Sequence, residues 1–140
     1  MFDFALFFHL AGLIIGLGAV TVIDVLGFTS RKSKNLTQVT IMAHHVTKPL
    51  IWLGTILLAI SWLFLYTDNT ISNLKSILLG IMILNGTFLS FYVSPRLDKL
   101  IGKKVLLPFG LQVKITISML ISFFSWWTFV VLTVLSLKIF

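Results

Sequence analysis

The chain has 140 residues, of which 58% are hydrophobic and only 11% charged, and its mean hydropathy is +1.07. A soluble globular domain carries about 25% charged residues and a disordered chain needs low hydrophobicity, so both are excluded and a single integral membrane domain is expected. The net charge is +7 with no cysteine; disulfides, thiolate catalysis, iron–sulfur clusters and Cys-ligated zinc are thereby excluded, and nucleic acid is not an expected partner.

The first apolar segment covers residues 4–28, interrupted by His9 and Asp24 alone among ionisable groups. It starts Met1-Phe2-Asp3 with no basic residue ahead of it, so it reads as a retained transmembrane helix rather than a cleavable signal peptide. Three further segments follow at residues 49–66, 76–93 and 115–137. All four fit the roughly 17–25 residues that span a bilayer core of about 30 Å. No period-two alternation of the kind a membrane barrel needs is present. The backbone must satisfy its own hydrogen bonds in lipid, which leaves helices. The predicted fold class is therefore all-α: a four-helix transmembrane bundle forming one domain over residues 1–140.

The connecting segments predict orientation. Residues 29–48 hold Arg31, Lys32, Lys34 and Lys48, and residues 94–114 hold Arg96, Lys99, Lys103, Lys104 and Lys114. Only Lys75 and Lys138 fall on the other side. The excess of Lys and Arg marks two basic cytoplasmic loops and places the N- and C-termini outside. A piece around residues 97–107 is amphipathic, and a surface helix and a solvated loop are equally compatible with it. The two halves would share one orientation, which argues against an inverted-repeat transporter.

Ionisable groups inside a span are costly and face the bundle interior. His9 shares a helix face with Gly12, Gly16 and Ala19. Small residues at this spacing permit close helix packing, or they leave room for a flat macrocycle beside a histidine ligand. Asp24 lies about 22 Å further along the axis at 1.5 Å per residue, near the basic end. It is expected either to pair with Arg31, Lys48, His44 or His45, or to form a proton-relay or cation site. His44 and His45 are adjacent and so lie about 100° apart on a helix, which makes them poor joint ligands for one ion. No zinc-site spacing occurs. In the third span Asn85 sits near mid-membrane, where an amide seeks a partner on another helix or contacts substrate or water. Met82 is a candidate axial ligand or core filler. The fourth span carries Ser118, Ser122, Ser125 and Ser136 near one face. Trp62, Trp126 and Trp127 lie toward the outer half, either as a wall for a cofactor or as an interfacial belt.

His9-Leu10-Ala11-Gly12, Gly16-Leu17-Gly18, Asp24, Lys48-Pro49-Leu50-Ile51-Trp52, Asn85-Gly86 and Ser94-Pro95-Arg96-Leu97 together give the chain a resemblance. It resembles a group of uncharacterised bacterial four-helix membrane proteins, which is similar in turn to the copper-resistance D family and the bacterial J-type protoporphyrinogen oxidase. The resemblance implies a bacterial inner-membrane location and, because the J-type enzymes are haem-associated, His9 as a haem b ligand with Gly12 and Gly16 making room. It implies neither a second axial ligand nor copper ligands here, and no reaction.

Two functions are therefore expected. One is a small membrane protein holding haem or another redox cofactor between helices near the outer face. The other is a cofactor-free transport, accessory or structural subunit, with lipid and a homo-oligomer or larger membrane complex as partners and with Asp24, Asn85 and the serines as its polar groups. Whether the protein is an enzyme is left open by the residues themselves.

Overall fold

The computed structural model describes residues 1–137. Four helices in it are long and apolar enough to cross a membrane, as composition requires. α1 spans Phe2–Thr29, α2 Lys34–Leu65 and α3 Thr70–Phe88. α3 continues through a π-helical turn, Leu89–Val93, into the short α4, Ser94–Asp98. α5 spans Phe109–Leu137. Among the described residues there is no strand.

The helices run well beyond the apolar segments. α2 begins at Lys34 rather than near residue 49, so the expected first loop is almost entirely helix. The connection is a single 3₁₀ turn, Ser30–Lys32. Ser33 caps α2 by accepting the Leu36 N–H at 3.3 Å, which satisfies a donor the helix itself cannot. Asn69 caps α3 in the same way through the Ser72 N–H at 2.8 Å. Polar residues outside the bilayer can continue a helix that a hydropathy pattern truncates.

The π turn has a local cause. Pro95 has no N–H to return to the carbonyl four residues earlier, and the backbone relaxes into the wider i→i+5 register. After α4 the chain turns through Gly102, whose φ of +78° is left-handed and suits glycine alone without strain. Gln38 on α2 holds this loop. Its Nε2 donates to the Leu100 carbonyl at 2.9 Å and the Lys103 carbonyl at 2.6 Å, and its Oε1 accepts the Gly102 N–H at 3.0 Å. The stretch around residues 97–107 is thus a clamped loop and not a surface helix.

α1 packs chiefly along α2, and α3 along α5. Gly12 and Gly16 meet Gly54 of α2: a Cβ on Gly54 would lie 2.6 Å from Gly16 Cα, and one on Gly12 would lie 2.8 Å from the Gly54 carbonyl. Trp126 of α5 fills the remaining space over Gly16. The core is completed by Leu13, Val20, Leu58, Trp62, Leu79, Met82 and Phe129. Large apolar side chains such as Phe4, Ile14, Leu63, Leu84 and Phe91 point outward, which suits contact with lipid.

Candidate functional site

Two polar clusters lie at opposite ends of this apolar core. The first sits at the end that carries the N-terminus. His9 is 1% exposed. Its Nδ1 lies 3.0 Å from Ser61 Oγ, and the Ser61 hydroxyl donates its one proton to the Leu58 carbonyl at 3.0 Å. The hydroxyl can then only accept from His9, so Nδ1 carries the ring proton and Nε2 presents a lone pair. Lys75 Nζ lies 3.3 Å from that Nε2 and donates to it. The ammonium group is also 4.6 Å from the Trp62 ring and 5.0 Å from the Phe129 ring, within cation–π range.

Lys75 is 3% exposed, and among the described residues no carboxylate lies within 4 Å of it; the ion pair they form is His45–Asp98 at 3.1 Å. A cleft of about 60 Å³ opens beside it, lined by His9, Ser72, Lys75, Thr133 and Ser136 among others. A water needs roughly 10–15 Å³ of such space, so the cleft has room for a few waters or a small ion.

These residues do not fit a haem. Both nitrogens of His9 are engaged. The space beside Gly12 and Gly16 that a macrocycle would need is taken by the backbone of α2 and by Trp126. Met82 is a buried core residue.

The second cluster lies at the basic end. Asp24 is 5% exposed, and its Oδ2 has no hydrogen-bond partner among the described residues. None of the four cationic partners expected from sequence reaches it. Arg31 donates to Thr116 Oγ1 at 2.8 Å, Lys48 to Ser94 Oγ at 3.3 Å, His45 pairs with Asp98, and His44 Nε2 meets Ser94 Oγ at 2.6 Å. Asp24 and His44 do line one cavity of about 80 Å³. The adjacent histidines diverge as expected: His44 is buried and His45 exposed.

Between the clusters, Asn85 finds an interhelical partner. Its Nδ2 donates to the Ser118 carbonyl at 3.0 Å, and its Oδ1 accepts from Ser118 Oγ at 2.6 Å. Trp62 Nε1 donates to Ser76 Oγ at 2.9 Å and Trp52 Nε1 to Ser90 Oγ at 2.8 Å, while Trp127 faces outward.

Lys75 is the residue sequence reasoning missed, having been assigned to a short outer loop. The signal was present. Asn69 is a strong N-cap residue, and starting the helix there puts Ser72, Lys75, Leu79 and Met82 on one face at spacings of 3, 4 and 3. All four are buried. Ser61 and Ser94, the histidines' partners, carry no such signal.

Compared with known proteins, the chain matches no family model, no curated protein and no solved structure.

Proposed function

We propose that the protein is a cofactor-free, ion-handling protein of a bacterial inner membrane, acting as a transport or accessory subunit that binds a small anion at the Lys75–His9 cleft. The supporting observation is the Lys75 ammonium, buried among His9, Trp62 and Phe129 with no carboxylate within 4 Å among the described residues. A buried charge is costly unless it is paired, and a bound anion supplies the missing charge. Of the hydroxyls around the same cleft, Thr133 and Ser136 spend their protons on the Phe129 and Thr133 carbonyls, and Ser72, which can accept from Thr67 Oγ1 at 3.1 Å, keeps a proton to donate to the anion. A volume of about 60 Å³ suits an ion of few atoms, such as chloride or formate. With the basic loops on the cytoplasmic side, the cleft faces the periplasm.

The test is calorimetric titration of the purified protein in nanodiscs with chloride and with formate. Saturable binding is expected, and Lys75→Met abolishes it while Lys32→Met, on the exposed surface, leaves it intact. Absence of saturable binding in the wild type, or equal binding by Lys75→Met, overturns the proposal. The competing haem reading is decided by absorption spectra of protein from a haem-replete host, before and after dithionite. We expect no Soret band; a band that disappears in His9→Ala reinstates haem.

A further inference from the structure

We infer that the cavity beside Asp24 is a binding site for one alkali cation, held by the Asp24 carboxylate and the hydroxyl oxygens of Ser30, Thr37 and Thr40. The site is at the opposite end of the bundle from Lys75 and does not depend on the reading of that residue.

The argument begins with the carboxylate. Asp24 is 95% buried by its 5% exposure, its Oδ2 is unpartnered, and it lines a cavity of about 80 Å³. Leaving a buried acceptor unmade costs the full desolvation of the group. Every cationic side chain nearby is committed elsewhere, as described above, so this chain's described residues do not supply the counter-charge.

Besides His44, the other polar groups of the cavity are hydroxyl oxygens with their protons already spent. Ser30 Oγ donates to the Gly27 carbonyl at 3.2 Å. Thr37 Oγ1 donates toward the Ser30 and Ser33 carbonyls at 3.0 and 2.8 Å. Thr40 Oγ1 donates toward the Leu26 and Leu36 carbonyls at 3.2 and 2.8 Å. A hydroxyl has one proton and two lone pairs, so each of these oxygens can act only as an acceptor toward the cavity. His44 Nε2 is turned to Ser94. An all-oxygen set selects a hard cation. A single carboxylate neutralises one charge, which favours a monovalent ion over calcium, whose sites gather several carboxylates. Among the described residues there is no group of three or more His, Cys, Asp or Glu that would hold a transition metal.

The test is equilibrium binding of ²²Na⁺ and ⁸⁶Rb⁺ to the detergent-purified wild-type chain, at constant ionic strength maintained with choline chloride. Saturable binding of one of the two at a single site per chain is expected, with affinity at least tenfold weaker in Asp24→Asn. Thr40→Val, which keeps the side-chain shape and removes one oxygen, is expected to weaken binding several-fold and serves if Asp24→Asn does not fold. Absence of saturable binding in the wild type overturns the inference and means that Asp24 is kept neutral by a proton. Binding unchanged in the variants that fold overturns it equally.

Discussion

Lys75 Nζ lies 3.3 Å from His9 Nε2, joining α3 to α1 across 66 residues of sequence in the buried interior at the end of the bundle that carries the N-terminus. The pair is a cation and a neutral acceptor, so it lacks the attraction of two opposite charges. Lys75→Met keeps most of the aliphatic stem and removes the buried ammonium. The uncompensated charge costs more than one hydrogen bond returns. In anion-free buffer the variant is expected to melt at the same temperature as the wild type or higher, by thermal unfolding in detergent. A clear loss of stability would show that the ammonium is already compensated.

The contact of Gly54 with Gly16 sets a second expectation. A Cβ on Gly54 would fall 2.6 Å from Gly16 Cα and 2.7 Å from Gly16 N. These are backbone atoms and cannot swing aside. Gly54→Ala should destabilise the bundle by about 1–3 kcal/mol, the usual cost of overpacking. At Gly80 a Cβ meets nothing within 4 Å, and Gly80→Ala should leave the melting temperature unchanged or raise it. Parallel unfolding curves of the two variants check both outcomes.

Asn85 and Ser118 form a two-bond bridge between α3 and α5. Side-chain hydrogen bonds between membrane helices average about 0.6 kcal/mol and reach about 1.7 kcal/mol. A double-mutant cycle with Asn85→Leu and Ser118→Ala should return a coupling in that range. A coupling near zero would mean that the amide is served equally well by other partners.

Orientation is open to direct measurement because the chain has no cysteine. Asn69→Cys sits at the turn between α2 and α3, and Lys103→Cys in the loop clamped by Gln38. A membrane-impermeant maleimide should label the first in intact cells and the second only after permeabilisation. The reverse pattern would invert the bundle and turn the Lys75 cleft toward the cytoplasm.

The four spans were legible because hydropathy records what lipid demands of a helix. The helix ends were less legible. Lys34 to Lys48 is helical through local hydrogen bonding and capping by Ser33, properties that a hydropathy pattern does not weigh. His9 and Asp24 were identifiable as buried because an ionisable residue inside an apolar run has few other places to be. Their surroundings were not identifiable. The partners of His9 come from Ser61 and Lys75, on two other helices, and the rotation of those helices depends on packing. Gly12 and Gly16 allowed two readings, helix packing or room for a cofactor. What fills the space is Gly54 and Trp126, neither of which is near them in sequence. The cationic partners expected for Asp24 all found other partners.

The glycine seam also bears on how the bundle can move. Where Gly54 rests on Gly12 and Gly16, no flexible side chain separates α1 from α2, so neither helix can slide past the other without backbone collision. That seam fixes the register of the α1–α2 hairpin through backbone against backbone, whereas α3 is tied to α5 through the Asn85 side chain.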